Sequence, residues 1–139
     1  MKKIIKSENL SKVLNRRKRT NGVFTVKSLK TGKDFTFKIK KNKYKNKWYI
    51  HLYVEIEYLN FKRLGCYFNG KIYNKNSNTN TKACKTISFI LNKVENEEFE
   101  FLDNNIEIMH IGKCIACGKI LTDSESIKRG LGPICDSLN

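Results

Sequence analysis

Long apolar runs are missing from this 139-residue chain. No stretch approaches the roughly 18 residues that a membrane span requires. The opening segment MKKIIKSENL also lacks the apolar centre of a secretory signal. Acidic residues are scarce where basic ones are dense: residues 1–49 hold 17 Lys and Arg against Glu8 and Asp34 alone, and the rest balances eleven against eleven. There is no glycine-rich phosphate loop, no nucleophile beside a general base and no pair of catalytic carboxylates, so an enzyme is not expected. Cysteine is present but odd in number, at five, where a secreted disulfide scaffold would more often show an even count. These absences together predict a soluble cytoplasmic protein with no membrane partner.

The basic excess gives a net charge of +15 and sits wholly in the first third. Such asymmetry favours a polyanion, because each neutralised phosphate releases a condensed counterion. Residues 1–21 read as a basic N-terminal arm ending in Asn15-Arg16-Arg17-Lys18-Arg19, either a short helix or partly mobile. A second cluster at 40–47 places Lys41, Lys43, Lys45 and Lys47 around Tyr44.

From Gly22 the pattern turns to period two, the signature of half-buried strands. Segments 23–26 and 35–39 form a hairpin around Lys30-Thr31-Gly32-Lys33, with further strands at 48–56, 61–68 and 71–73, the last two joined at Asn69-Gly70. Residues 74–80 read as a loop. Thr81 then caps a helix whose Ala83, Ile87, Ile90, Leu91 and Val94 share one face. The sequence therefore predicts an α+β fold: a small antiparallel sheet with one packing helix over 22–105, followed by a zinc-binding module over 106–139.

That last module carries the chemistry. Cys114-Ile-Ala-Cys117 has knuckle spacing, which lets two thiolates reach one ion, and Gly118 suits the tight backbone that follows. Cys135 is the natural third ligand, returned by Gly130-Leu131-Gly132-Pro133. His110 is the best fourth, with Asp136, Asp123 or water as alternatives. A Cys₃His set would make a closed, structural Zn²⁺ site with no place for an activated water. Thr122-Asp123-Ser124-Glu125 reads as a capping box opening a short helix, with Thr122 as the cap. Ile120, Leu121, Ile127, Leu131 and Ile134 would form a miniature core too small to stand without metal. Cys66 and Cys84 read as buried apolar residues, and His51 as packing or surface.

His110, Cys114, Cys117-Gly118, Leu121-Thr122, Glu125-Ser126-Ile127, Gly130, Gly132-Pro133 and Cys135 together resemble a family of uncharacterised proteins found mainly in phages and mobile elements. Its members pair a small β-rich region with a C-terminal zinc knuckle. The resemblance reaches upstream through Gly22, Phe24-Thr25, Lys30-Thr31-Gly32-Lys33, Phe35-Thr36-Phe37, Leu64-Gly65 and Ser88-Phe89. Met109 stands where relatives often carry an aromatic residue, and the basic arm looks like an addition. The resemblance implies a metal site and residence in a bacterial host cell, but no activity.

Two functions from different classes follow as expectations. One is a non-enzymatic protein that binds nucleic acid or a ribonucleoprotein through Arg16, Arg17, Lys18, Arg19, Lys41, Lys43, Tyr44, Lys45 and Lys47. The other is a phage-encoded inhibitor that binds a host defence effector, as anti-CRISPR proteins do.

Overall fold

Alternating β-branched and aromatic residues between tight turns produce one antiparallel sheet, and the computed structural model describes it through residues 2–75 and 79–137. Chain order is β1 (Lys3–Ile5), α1 (Glu8–Asn15), β2 (Thr20–Ser28), β3 (Asp34–Tyr44), β4 (Lys47–Glu57), β5 (Asn60–Phe68) and β6 (Lys71–Tyr73). There follow α2 (Lys82–Glu95), α3 (Phe99–Asn105), β7 (Ile106–His110), α4 (Ser124–Arg129) and α5 (Pro133–Ser137). The seven strands lie in the order β1-β7-β2-β3-β4-β5-β6. The α+β class, the hairpins and the capped helix are those expected. Of the 74–80 loop, residues 76–78 lie outside the described residues.

The hairpin turns follow from backbone sterics. Lys45 and Asn46 both take positive φ, 48° and 64°, and Asn69-Gly70 does the same at 49° and 83°. Two successive positive values make the type of turn whose twist matches that of paired strands.

Strand alternation sorts the sheet into two unlike faces. Phe24, Val26, Phe37, Ile39, Leu52, Val54 and Tyr67 point to one side and are buried. The apolar stripe of α2 covers them, with Ala83, Cys84, Ile87, Ile90, Leu91 and Val94 all buried. Thr81 caps that helix by accepting the Cys84 N–H. The opposite face keeps its side chains exposed or half-buried, apart from Thr25, whose hydroxyl pairs with that of Thr36 at 2.8 Å.

The N-terminal segment is not an arm. β1 pairs with β7, and Leu10, Val13 and Leu14 of α1 are buried in the core. Ser7 ties the start of α1 to α3, its N–H donating to Asp103 Oδ1 at 2.9 Å and its hydroxyl to the Phe99 carbonyl at 3.2 Å. α3 is a second helix within 22–105, where the sequence predicts one. β7, which opens the stretch 106–139 expected to form a separate zinc-binding module, lies inside the sheet between β1 and β2.

Candidate metal centre and basic surface

Beyond His110 the chain turns back along the stretch of β2 that β7 leaves unpaired. The register pairs Thr25 with Met109, so residues 20–24 have no strand on that side. The knuckle fills the gap: the Asn21 N–H donates to the Ala116 carbonyl at 2.9 Å, and Ile115 and Ala116 are buried. A capped strand edge is also an edge closed to foreign strands. The approach is so close that Gly22 is obligatory, because a Cβ there would sit 1.6 Å from the Ile115 carbonyl oxygen.

Within the knuckle the Cys114 N–H donates to the Lys119 carbonyl at 2.8 Å, and the Gly118 N–H to the Cys114 carbonyl at 2.9 Å. Gly118 has φ of 81°, the left-handed conformation that closes this turn. α4 then opens on Asp123, whose side chain accepts the Ser126 N–H at 3.0 Å. The cap is therefore Asp123 and not Thr122, one residue later than the capping-box reading. Hydrogen bonds from Ser126 hold the Asp123 carboxyl below its ordinary range. Gly130 ends α4 in the left-handed region, and α5 delivers Cys135.

The outcome is that the sulfurs of Cys114, Cys117 and Cys135 all lie within 4.8 Å of one another. Thiolates holding one ion tetrahedrally at about 2.3 Å would stand about 3.8 Å apart, so a small inward movement completes the geometry. All three are free thiols. Residues 107–138 match a family of unknown function, DUF6011. No curated protein matches the chain, and no solved structure does.

Within the DUF6011 segment the surroundings of Cys114 favour charge on its sulfur, and those of Cys135 oppose it. Burial pushes the Cys114 thiol up, but N–H groups of Gly132, Cys117 and Ala116 outweigh it and bring the group below its usual value. Burial leads at Cys135 and raises its thiol to about 11 against the hydrogen bond from Arg16. That Arg16 is the residue sequence reasoning misplaced. It is 5% exposed, with Nη1 donating to Cys135 Sγ at 3.0 Å and Nη2 to the Arg19 carbonyl at 3.1 Å. Its charge faces the sulfurs and is withdrawn from any outside ligand.

His110 does not join the sulfurs. It is fully buried at the end of β7, Nε2 donating to the Ile127 carbonyl at 2.6 Å and Nδ1 accepting the Gly112 N–H at 2.9 Å. Both nitrogens are spent on main-chain groups, so the imidazole braces α4 against the sheet. Among the described residues the metal-ligand group is three cysteines with no fourth histidine or carboxylate. Asp136, the alternative donor, pairs with Lys12 and Arg129. The expected miniature core is shared with the sheet: Leu121 and Leu131 are buried, whereas Ile120 and Ile134 are exposed and line a cleft of about 370 Å³ beside the cysteines.

Of the residues expected to meet nucleic acid, Lys41 is also buried. Its Nζ donates to the carbonyls of Leu14 at 2.5 Å and Arg16 at 2.6 Å, closing the C-terminal end of α1, where cations are favoured. Burial, aided by the nearby Arg16, pulls its ammonium down to about 8. Arg17, Lys18, Arg19, Lys43, Tyr44, Lys45 and Lys47 are exposed as expected. Because Thr20 pairs with Lys41, residues 17–19 lie beside the base of the ribbon formed by 43–47. No helix among the described residues is long and apolar enough to cross a membrane.

Proposed function

We propose that this chain is a small, non-enzymatic protein that binds nucleic acid or a nucleoprotein, with a zinc ion on Cys114, Cys117 and Cys135 as a structural staple. Three clustered thiolates favour zinc over the hard cations that prefer oxygen. A structural role follows from connectivity: the ion would tie α5 to the knuckle, and the knuckle closes the edge of β2. Arg16 links the same cluster to the main chain of Arg19, so the staple also braces the segment carrying Arg17, Lys18 and Arg19.

The observation that carries the binding reading is uncompensated charge. Among the described residues the ion pairs are Lys12–Asp136, Lys93–Glu98 and Arg129–Asp136. None uses Arg17, Lys18, Arg19, Lys43, Lys45 or Lys47, which share one end of the sheet. Such a cluster suits a phosphate backbone.

The test is the salt dependence of oligonucleotide binding by fluorescence anisotropy. Replacing those six residues with Gln is expected to flatten the slope of log affinity against log salt by up to about 4 to 5. An unchanged slope would remove this surface from the reading. Capture from an infected bacterial lysate with and without nuclease separates it from the inhibitor of a host defence complex, which would be retained as a single effector after nuclease.

A further inference from the structure

The sheet face left bare by the helices carries a second arrangement that composition does not reveal. Tyr53 pairs with Lys38 on β3 and with Arg63 on β5, so these three form one row across the strands. Lys40 and Cys66 flank His51 in the next row, and Asn42 faces Tyr49 in the one after. Phe61 lies beside the first row. The rings present their faces and not their edges: Lys38 Nζ lies 4.4 Å from the Phe61 ring centroid and 5.8 Å from that of Tyr53. Lys40 Nζ lies 5.9 Å from the Tyr53 centroid. A flexible ammonium over a ring face marks a position where a flat, partly polar group can stack.

Arg63 Nη2 lies 3.2 Å from His51 Nδ1, and His51 Nε2 lies 3.2 Å from Asn42 Oδ1. The hydrogen-bonding line thus continues from β5 to β3. Glu55, opposite Phe61 across the strands, is engaged with the Leu59 N–H at 3.0 Å. Beside Phe61 a groove of about 790 Å³ runs over Val23 and Lys38 toward Lys113 and Cys117 of the knuckle. Its outer wall is Tyr58, 88% exposed, and Leu59.

We infer that this face is a platform for single-stranded nucleic acid, on which unpaired bases stack against Tyr53 and Phe61 while Lys38, Lys40 and Arg63 meet the phosphates. The inference rests on the nucleic-acid reading above and narrows it to one ligand class and one surface. A base arriving on Phe61 displaces the Lys38 ammonium, whose long stem leaves it free to follow the backbone. Stacking on ring faces requires bases that are not already stacked in a duplex. A platform three strands wide accommodates about two or three nucleotides, as other aromatic sheet surfaces do.

The experiment is a titration of the full-length, metal-loaded chain with a short single strand carrying a fluorescent adenine analogue, and with its duplex. Tighter binding of the single strand, with quenching of the analogue, is expected. Tyr53→Leu combined with Phe61→Leu should lower single-strand affinity about 10- to 100-fold and abolish the quenching, whereas Tyr53→Phe should retain both. Should the double variant fail to fold, ultraviolet cross-linking of the wild-type chain decides, with adducts expected on peptides holding Tyr53 or Phe61. Equal affinity for duplex, ring variants that bind normally, or cross-links confined to residues 17–19 and 43–47 would overturn the platform and leave the nucleic-acid reading intact. No binding of either oligonucleotide at low salt would overturn both.

Discussion

Substituting alanine at Gly22 probes how firmly the cysteine-bearing segment is built into the sheet. The added Cβ would lie 1.6 Å from the Ile115 oxygen and 2.2 Å from its carbonyl carbon. Both are main-chain atoms, so no change of rotamer relieves the overlap. Real contacts do not fall below 3.0 Å, so strand and knuckle must separate by about 1.4 Å. Overpacking of that kind costs about 1–3 kcal/mol. Losing the Asn21–Ala116 hydrogen bond adds about 1 kcal/mol. The sum, about 2–4 kcal/mol, is a large share of the 5–15 kcal/mol that holds a typical domain folded. Urea unfolding of the metal-loaded protein measures it, and chelator competition should show metal affinity falling tenfold or more. Gly132→Ala is the control: its Cβ would meet nothing within 4 Å, and a change within about 0.5 kcal/mol is expected. A Gly22→Ala protein as stable as that control would refute the docking argument. So would a wild-type protein whose knuckle unfolds in a separate transition that leaves the sheet intact.

His110→Ala should cost about 3–4 kcal/mol, because it opens a cavity and leaves the Ile127 carbonyl and Gly112 N–H unpaired. Metal stoichiometry should not change, and a loss of metal while the fold persists would restore the imidazole as a ligand. For Lys41 the decisive variable is pH. Its folded-state value is lowered from 10.5 to about 8, so between these values the unfolded chain keeps a proton that the folded chain has lost. Stability should therefore rise across that window, on the order of 1 kcal/mol after solvent screening. Lys41→Met should lack the rise in denaturant titrations run from pH 7 to 10.5.

Where local chemistry determines an element, the residues announced it. Thr81 and the stripe from Ala83 to Val94 specify α2 without outside help, and Asn69-Gly70 is a turn signal in its own right. The three cysteines were likewise legible, since CxxC and a Gly-Pro-delivered third thiol need only short-range geometry. What escaped depended on distant partners. Leu10, Val13 and Leu14 make too narrow a stripe to declare a helix until α2 and α3 supply the other side of the core. Arg16 shows no local sign of burial, because the sulfur it faces is 119 residues away. Strand parity accounts for the burial of Lys41 and His110. Lys41 continues the alternation of Phe35, Phe37 and Ile39, and so belongs to the core side. His110 continues that of Ile106 and Ile108, which made it an interior residue of a strand before it was a candidate ligand. The same parity places Lys38, Lys40, His51 and Tyr53 together on the bare face.

Metal content most directly tests the central claim that three sulfurs on one ion fasten the C-terminal segment to the sheet. Elemental analysis of protein purified under reducing conditions should find one zinc per chain. Cobalt exchange should give thiolate charge-transfer absorption that weakens in Cys117→Ser and persists in His110→Ala. A chain that keeps its full stability without stoichiometric metal, or whose three thiols are found oxidised in its native state, would contradict the account.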